Sequence, residues 1–281
     1  MSSSILLSID TFVYGLASVL YAAAWIFRKE PWGKAASAVA LLGMAANFAG
    51  IALRWIESHR MGIGHAPLSN LYESLVFFSW AIVIIHLVLE SRVKNRVFGV
   101  FIMPLAFLSL AYASLAPDIS DRIQPLVPAL RSNWLIAHVV TCFLGYAGFS
   151  VAFGISIMYL IQAEKGREHP LVLVRRFPDA SDLDDLTHKM IQFGFLFLSL
   201  GIITGAVWAD SAWGRYWGWD PKETWSLITW FIYATFLHAR LMRGWQGKRI
   251  AVFSIIGFIA VMFTYFGVNF LLTGLHSYGV K

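Results

Sequence analysis

Apolar residues in this chain come in long runs, without the short alternation that marks strands. Eight runs can be read, near 5–27, 34–56, 69–90, 97–116, 133–163, 188–208, 222–241 and 250–273. Each is long enough to cross about 30 Å of hydrocarbon as a helix. The pattern predicts an all-α integral membrane protein, a bundle of about eight transmembrane helices in a single polytopic domain, 1–281. The fifth run is longer than a bilayer needs, so it is expected to tilt or to project at one end. The longest non-spanning piece, about 164–187, is too small for a soluble domain, and Ser181-Asp-Leu-Asp within it reads as a cap leading into the sixth helix. No basic segment precedes the first run, which is also too long for a signal peptide. It is expected to be a retained first span.

Composition agrees. The chain is 58% hydrophobic and 14% charged, with mean hydropathy +0.65, whereas a water-soluble domain is nearer ~25% charged. One cysteine, Cys142, excludes a disulfide framework and a Cys-x-x-Cys motif. The net charge of +6 is better explained by topology than by nucleic acid. With eight crossings, loops 28–34, 91–96, 164–189 and 240–249 share one side and hold fifteen Lys and Arg, against seven on the other. By the positive-inside rule both termini face outward, toward periplasm or an equivalent lumen.

The densest chemistry lies between the sixth and seventh runs. Residues 213–230 hold five Trp and one Tyr, broken by Gly214 and Gly218. Asp220 reads as an N-cap, Pro221 as the first helical position and Glu223 as a first-turn acid. A Trp-rich outer loop, 209–224, should therefore run into a helix. Trp gathered this densely suits a shelf for a large flat apolar group. The alternative is an aromatic belt at the membrane surface, but belts carry one or two Trp per helix end.

The histidines sort by depth. His138 lies about one turn inside the outer end of the fifth run, and His276 just past the outer end of the eighth, on the side where the Trp-rich loop emerges. One such His alone reads as a hydrogen-bonded interfacial residue. A pair flanking an aromatic shelf points to haem, because two imidazoles can cap the iron from both faces. His238 lies near the inner end of the seventh run and His86 at similar depth in the third, where ionisable groups are functional candidates. His59, His65, His169 and His188 read as surface residues. Glu73 is expected to pair with Arg54 or Arg60, Cys142 to serve packing, and Gly145, Gly148 and Gly154 to let helices approach closely.

The stretch Trp213-Gly-Arg-Tyr-Trp-Gly-Trp-Asp-Pro-Lys-Glu-Thr-Trp resembles the signature of the tryptophan-rich haem-handling proteins of cytochrome c maturation. Its continuation Ser-Leu-Ile-Thr-Trp230 and the segment Pro67-Leu-Ser-Asn-Leu-Tyr-Glu-Ser-Leu resemble the CcsA (ResC) branch more than CcmC or CcmF. The resemblance implies a protein of the bacterial inner membrane, or of the thylakoid if plastid-encoded. It implies a CcsB (ResB) partner with which haem is moved outward and attached to the Cys-x-x-Cys-His segment of apocytochrome c. His138 and His276 match the outer ligands of haem b, and His238 a membrane-embedded ligand whose second axial partner comes from CcsB or from His86.

On this reading Trp213, Trp217, Trp219, Asp220 and Trp225 form the shelf. Arg215 and Lys222 are candidates for the haem propionates or, equally, for lipid head groups. The chain offers no catalytic nucleophile of its own. The competing functions are haem delivery without synthase activity and a membrane cytochrome b-type redox subunit.

Overall fold

The computed structural model describes residues 2–126, 131–163 and 172–272. Its elements are α1 (Ser3–Phe27), α2 (Glu30–Arg60), α3 (Leu71–Val93), α4 (Phe98–Leu115), α5 (Asn133–Ala163), a 3₁₀ turn (Val174–Arg176), α6 (Ala180–Trp213), α7 (Pro221–Arg243) and α8 (Lys248–Met262). A π-helical turn (Phe263–Gly267) carries α8 into α9 (Val268–Leu271). The expected all-α class holds, and each of the eight apolar runs falls on a helix.

Seven of these helices are long and apolar enough to cross a membrane, counting Lys248–Leu271 as one. The expected seventh span, α7, is not among them. It forms as a helix, but it carries Lys222, Glu223, His238, Arg240 and Arg243. Arg240 is neutralised where it stands, donating to Asp184 at 2.5 Å and to Asp185 at 2.8 Å, while Asp184 also accepts the Gly247 N–H at 2.8 Å. The sixth helix begins earlier than the sequence predicts. Its N-cap is Asp179, so the stretch from Ser181 lies within the helix and is not its cap.

The chain divides into two compact units, the first ending at Arg131 and the second starting at Ser132. In the first, α1 packs on α2 and α4, and α3 on α4 and α2. Polar side chains tie both ends of this bundle. Glu73 accepts from Arg54 Nε at 2.7 Å, with both side chains almost wholly buried. Its other oxygen takes the Ser69 N–H at 2.8 Å and the Ser69 hydroxyl at 2.7 Å. Of the two partners expected for Glu73, Arg54 and Arg60, it is Arg54 that pairs with it. At the other end Tyr21 donates to Glu90 at 2.6 Å, Ser37 also donates to Glu90, and His86 lies wholly buried, edge-on to Tyr21 at 5.2 Å.

Breaking a buried ion pair from one side leaves the other charge uncompensated. Glu73→Ala should therefore lower unfolding stability by about 3–5 kcal/mol. Glu73→Ala with Arg54→Met should recover most of that loss, read by thermal unfolding in detergent.

In the second unit α5 and α6 make the most extensive contact, and α8 packs on α5 and α7. Glycine permits the close approach of α5 and α6. A Cβ at Gly145 would lie 2.9 Å from the Leu198 amide nitrogen, and one at Gly148 3.2 Å from the Gly194 Cα. The packing role expected of these two glycines is what the structure shows. Tyr233 of α7 stacks flat on Phe149 of α5 at 3.6 Å, which fixes the rotation of α7 about its axis.

Candidate functional site

The site grows from the turn between α6 and α7. α6 ends at Trp213 because Gly214 takes a left-handed backbone, φ 72°, and donates to the Asp210 carbonyl at 2.8 Å. α7 starts with the predicted cap. Asp220 accepts from the Lys222 N–H at 2.9 Å and Pro221 opens the helix. Glu223 reaches back to accept two amides, Gly218 N–H at 2.8 Å and Asp220 N–H at 3.1 Å.

Those two amides straddle Trp219, and the consequence falls on its backbone. Trp219 adopts φ 57°, a region bulky residues rarely enter. Glu223 holds it there and leaves its indole 68% exposed. Trp217 meets Trp219 edge-on at 5.7 Å. Among the described residues the buried indole N–H groups of Trp213 and Trp217 have no hydrogen-bond partner, so two donors remain available beneath the turn.

A second line of rings runs from Trp213 into the helices. Trp208, on α6, meets Trp213 edge-on at 6.2 Å. It also meets His138 of α5, with the ring planes 9° apart and centroids at 6.1 Å. His138 Nδ1 lies 2.7 Å from the Gly201 carbonyl oxygen. A carbonyl only accepts, so Nδ1 carries the proton and the in-plane lone pair of the ring belongs to Nε2. Metal-binding histidines are commonly arranged this way, with the other ring nitrogen bound to a backbone carbonyl or carboxylate.

The remaining candidates are distributed around this turn. Trp225 faces inward, against Phe263 of the π-turn at 4.1 Å, and its carbonyl accepts from Thr229 at 2.8 Å and Thr264 at 3.2 Å. Lys222 Nζ donates to Asn269 of α9 at 3.0 Å, so this ammonium tethers α9. Arg215 is exposed, and its guanidinium lies over Gly218, where a Cβ would come within 2.8 Å of Cζ. His276 lies outside the described residues. The π-turn, a feature often found at functional sites, ends at Gly267, nine residues before it in the chain.

His238 stands apart from this group. It is exposed on α7, on the face that also shows Phe231 at 56% and Met242 at 72%, opposite the buried Thr229, Tyr233 and Phe236. It lies seventeen residues into α7, whereas His138 lies five residues into α5. Sequence reading missed Trp208, Gly201 and Gly205. The signal was there for the glycines, since Gly201-Ile-Ile-Thr-Gly205 is a small-xxx-small pattern inside an apolar run.

Residues 68–276 match the family model described as Cytochrome C assembly protein. The chain belongs to that family. Its relatives in it include a cytochrome c biogenesis protein CcsA of Gloeobacter violaceus, 40% identical over 94% of this chain and 92% of the relative. A second, from Guillardia theta, is 42% identical over 80% of this chain and 79% of the relative. The resemblance to the CcsA branch is therefore sound. Among solved structures the chain is similar to the cytochrome c heme lyase CcmF, with TM-score 0.70 and 18% identity over 98% of this chain. At that identity the likeness concerns the fold, and the chain spans 48% of that heme lyase. As a member of the cytochrome C assembly protein family, this chain has its Trp-rich turn, its capping box and His138 all inside the matched region.

Proposed function

We propose that this membrane protein presents haem at its outer face for attachment to apocytochrome c. The observation that carries the reading is the one continuous series His138–Trp208–Trp213, which ends under a turn holding two buried, unpartnered indole donors. The donor set fits the group. His138 offers Nε2 to iron, Trp213, Trp217 and Trp219 offer ring contact, and Asp220 and Glu223 hold the turn in shape. Arg215 is the more available cation for a propionate, since Lys222 already donates to Asn269. His276 is the proposed second axial ligand and Trp225 the inner buttress of the shelf. When bound, haem supplies the vinyl groups to which the two thiols of a Cys-x-x-Cys-His segment add.

The chain's own part is positioning. Cys142, its one thiol, is buried between α5 and α6, in contact with Gly201, so thioether formation would use the thiols of the apocytochrome. We place α7 as an eighth crossing, both termini outward, and the protein in a bacterial inner membrane or a thylakoid membrane. His238, on an exposed face, is suited to a ligand shared with a second membrane protein of the CcsB (ResB) kind.

The test is purification of the chain with and without that partner, read by absorption spectrum. Bound haem should be low-spin with two nitrogen ligands, below one per chain, and discharged by apocytochrome c. A stoichiometric haem that cycles reversibly between oxidation states and is never discharged would instead make the protein an electron-transfer subunit.

A further inference from the structure

His138 cannot reach the Gly201 carbonyl by its own geometry alone. In a helix each Cβ tilts toward the N-terminus and covers the turn before it. The residue that would cover the Gly201 carbonyl is the one a turn later, and that residue is Gly205. A Cβ there would lie 2.6 Å from His138 Nδ1 and 2.7 Å from its Cε1. These are ring atoms of a side chain held on three sides, not the loose end of a flexible one. A Cβ at Gly201 would likewise meet Cys142 Sγ at 2.6 Å, one turn along α5 from His138. The Thr204 hydroxyl, which donates to the Leu200 carbonyl at 2.8 Å, lies 3.2 Å from the same Gly201 oxygen. Trp208, 1% exposed, lies parallel to the imidazole and sets the plane of its ring. Cys142 Sγ is 3.6 Å from Nδ1, well beyond the carbonyl contact.

From this geometry we infer that Gly201, Gly205 and Trp208 are positioning residues for His138: they fix its Nδ1–H tautomer and its ring plane, so that Nε2 presents the lone pair. Their use in cytochrome c maturation rests on the haem reading above, but the tautomer does not. The competing account is that Gly201 and Gly205 only let α5 and α6 pack, as Gly145 and Gly148 do. The two accounts differ in what happens to one imidazole.

The experiment uses the full chain with ¹⁵N-labelled histidine in lipid nanodiscs, without haem, the His138 signals being assigned by their loss in His138→Gln. Wild type should show a protonated Nδ1 and a bare Nε2. Gly205→Ala should lose that pattern, giving mixed or reversed tautomers, whereas Gly148→Ala should keep it even if it is less stable. Trp208→Leu leaves the carbonyl in place and is the second variant should Gly205→Ala not fold. It should keep Nδ1 protonated but broaden the ring signals. With haem added, both variants should release it at imidazole concentrations at least tenfold lower than wild type.

An Nε2–H tautomer in wild type overturns the inference whatever the variants do. So does a folded Gly205→Ala with the wild-type tautomer, or a Trp208→Leu protein with unchanged ring signals. A wild type with the expected tautomer that takes up no haem would instead sink the haem reading and leave the positioning of His138 standing.

Discussion

His138→Ala should lose haem at the outer site and, with it, cytochrome c maturation. The imidazole is the only nitrogen ligand for iron that the described part of the outer site contains. Removing a residue that merely supports a metal ligand typically costs 10–100-fold in affinity. Losing the ligand itself should cost about 100-fold or more. The cavity left behind would be walled by Trp208 and floored by the Gly201 carbonyl. Those groups fit a free imidazole as they fit the side chain, so added imidazole should partly restore both haem content and maturation. The measurement is haem per chain, alongside the yield of a reporter c-type cytochrome, with and without imidazole. Normal yield from His138→Ala would show that this histidine is not the ligand.

His238→Ala, purified with its partner, should lower haem at the inner and the outer stations together. The separation of the two histidines carries the argument. His138 lies near the start of α5 and His238 near the end of α7. At 1.5 Å of rise per residue their positions along their helices differ by on the order of 20 Å. One porphyrin cannot bridge that distance, so a haem held by His238 belongs to an earlier station. An exposed imidazole on an otherwise apolar helix face needs a polar partner in hydrocarbon, and a second protein is the natural source. His86 is a poor substitute, being wholly buried against Tyr21, and His86→Ala should leave haem content nearly unchanged. His138→Ala and His276→Ala should both let haem accumulate at the inner station. A His238→Ala complex that fills the outer site normally would show that haem does not travel by this route.

α7 is where apolar content and the proposed eight crossings part. By apolar content alone it falls short of a span, and it carries charge at both ends. Three of those charges are satisfied locally: Glu223 by two amides of the turn, Lys222 by Asn269, Arg240 by Asp184 and Asp185. Pairing lowers the penalty of placing a charge near hydrocarbon, and no window average registers it.

What was legible in the chain is what short-range physics dictates. About twenty apolar residues in a row must close their own backbone hydrogen bonds, so the helices could be read directly. Asp220, Pro221 and Glu223 act on amides within five residues of themselves, so the cap could be read too. The Trp-rich stretch carried the family, because its residue types and spacing are dense enough to be specific.

Contacts across long separations were not legible. His138 and Gly201 are 63 residues apart, and nothing in either segment states that α5 and α6 meet with those two turns in register. The inward turn of Trp225 and the exposure of His238 likewise depend on how each helix is rotated against its neighbours. Packing decides rotation, since it is the sum of many weak contacts over a whole helix face. Only the tertiary structure could show that one missing methyl group, at Gly205, leaves His138 room to set its Nδ1 against the Gly201 carbonyl.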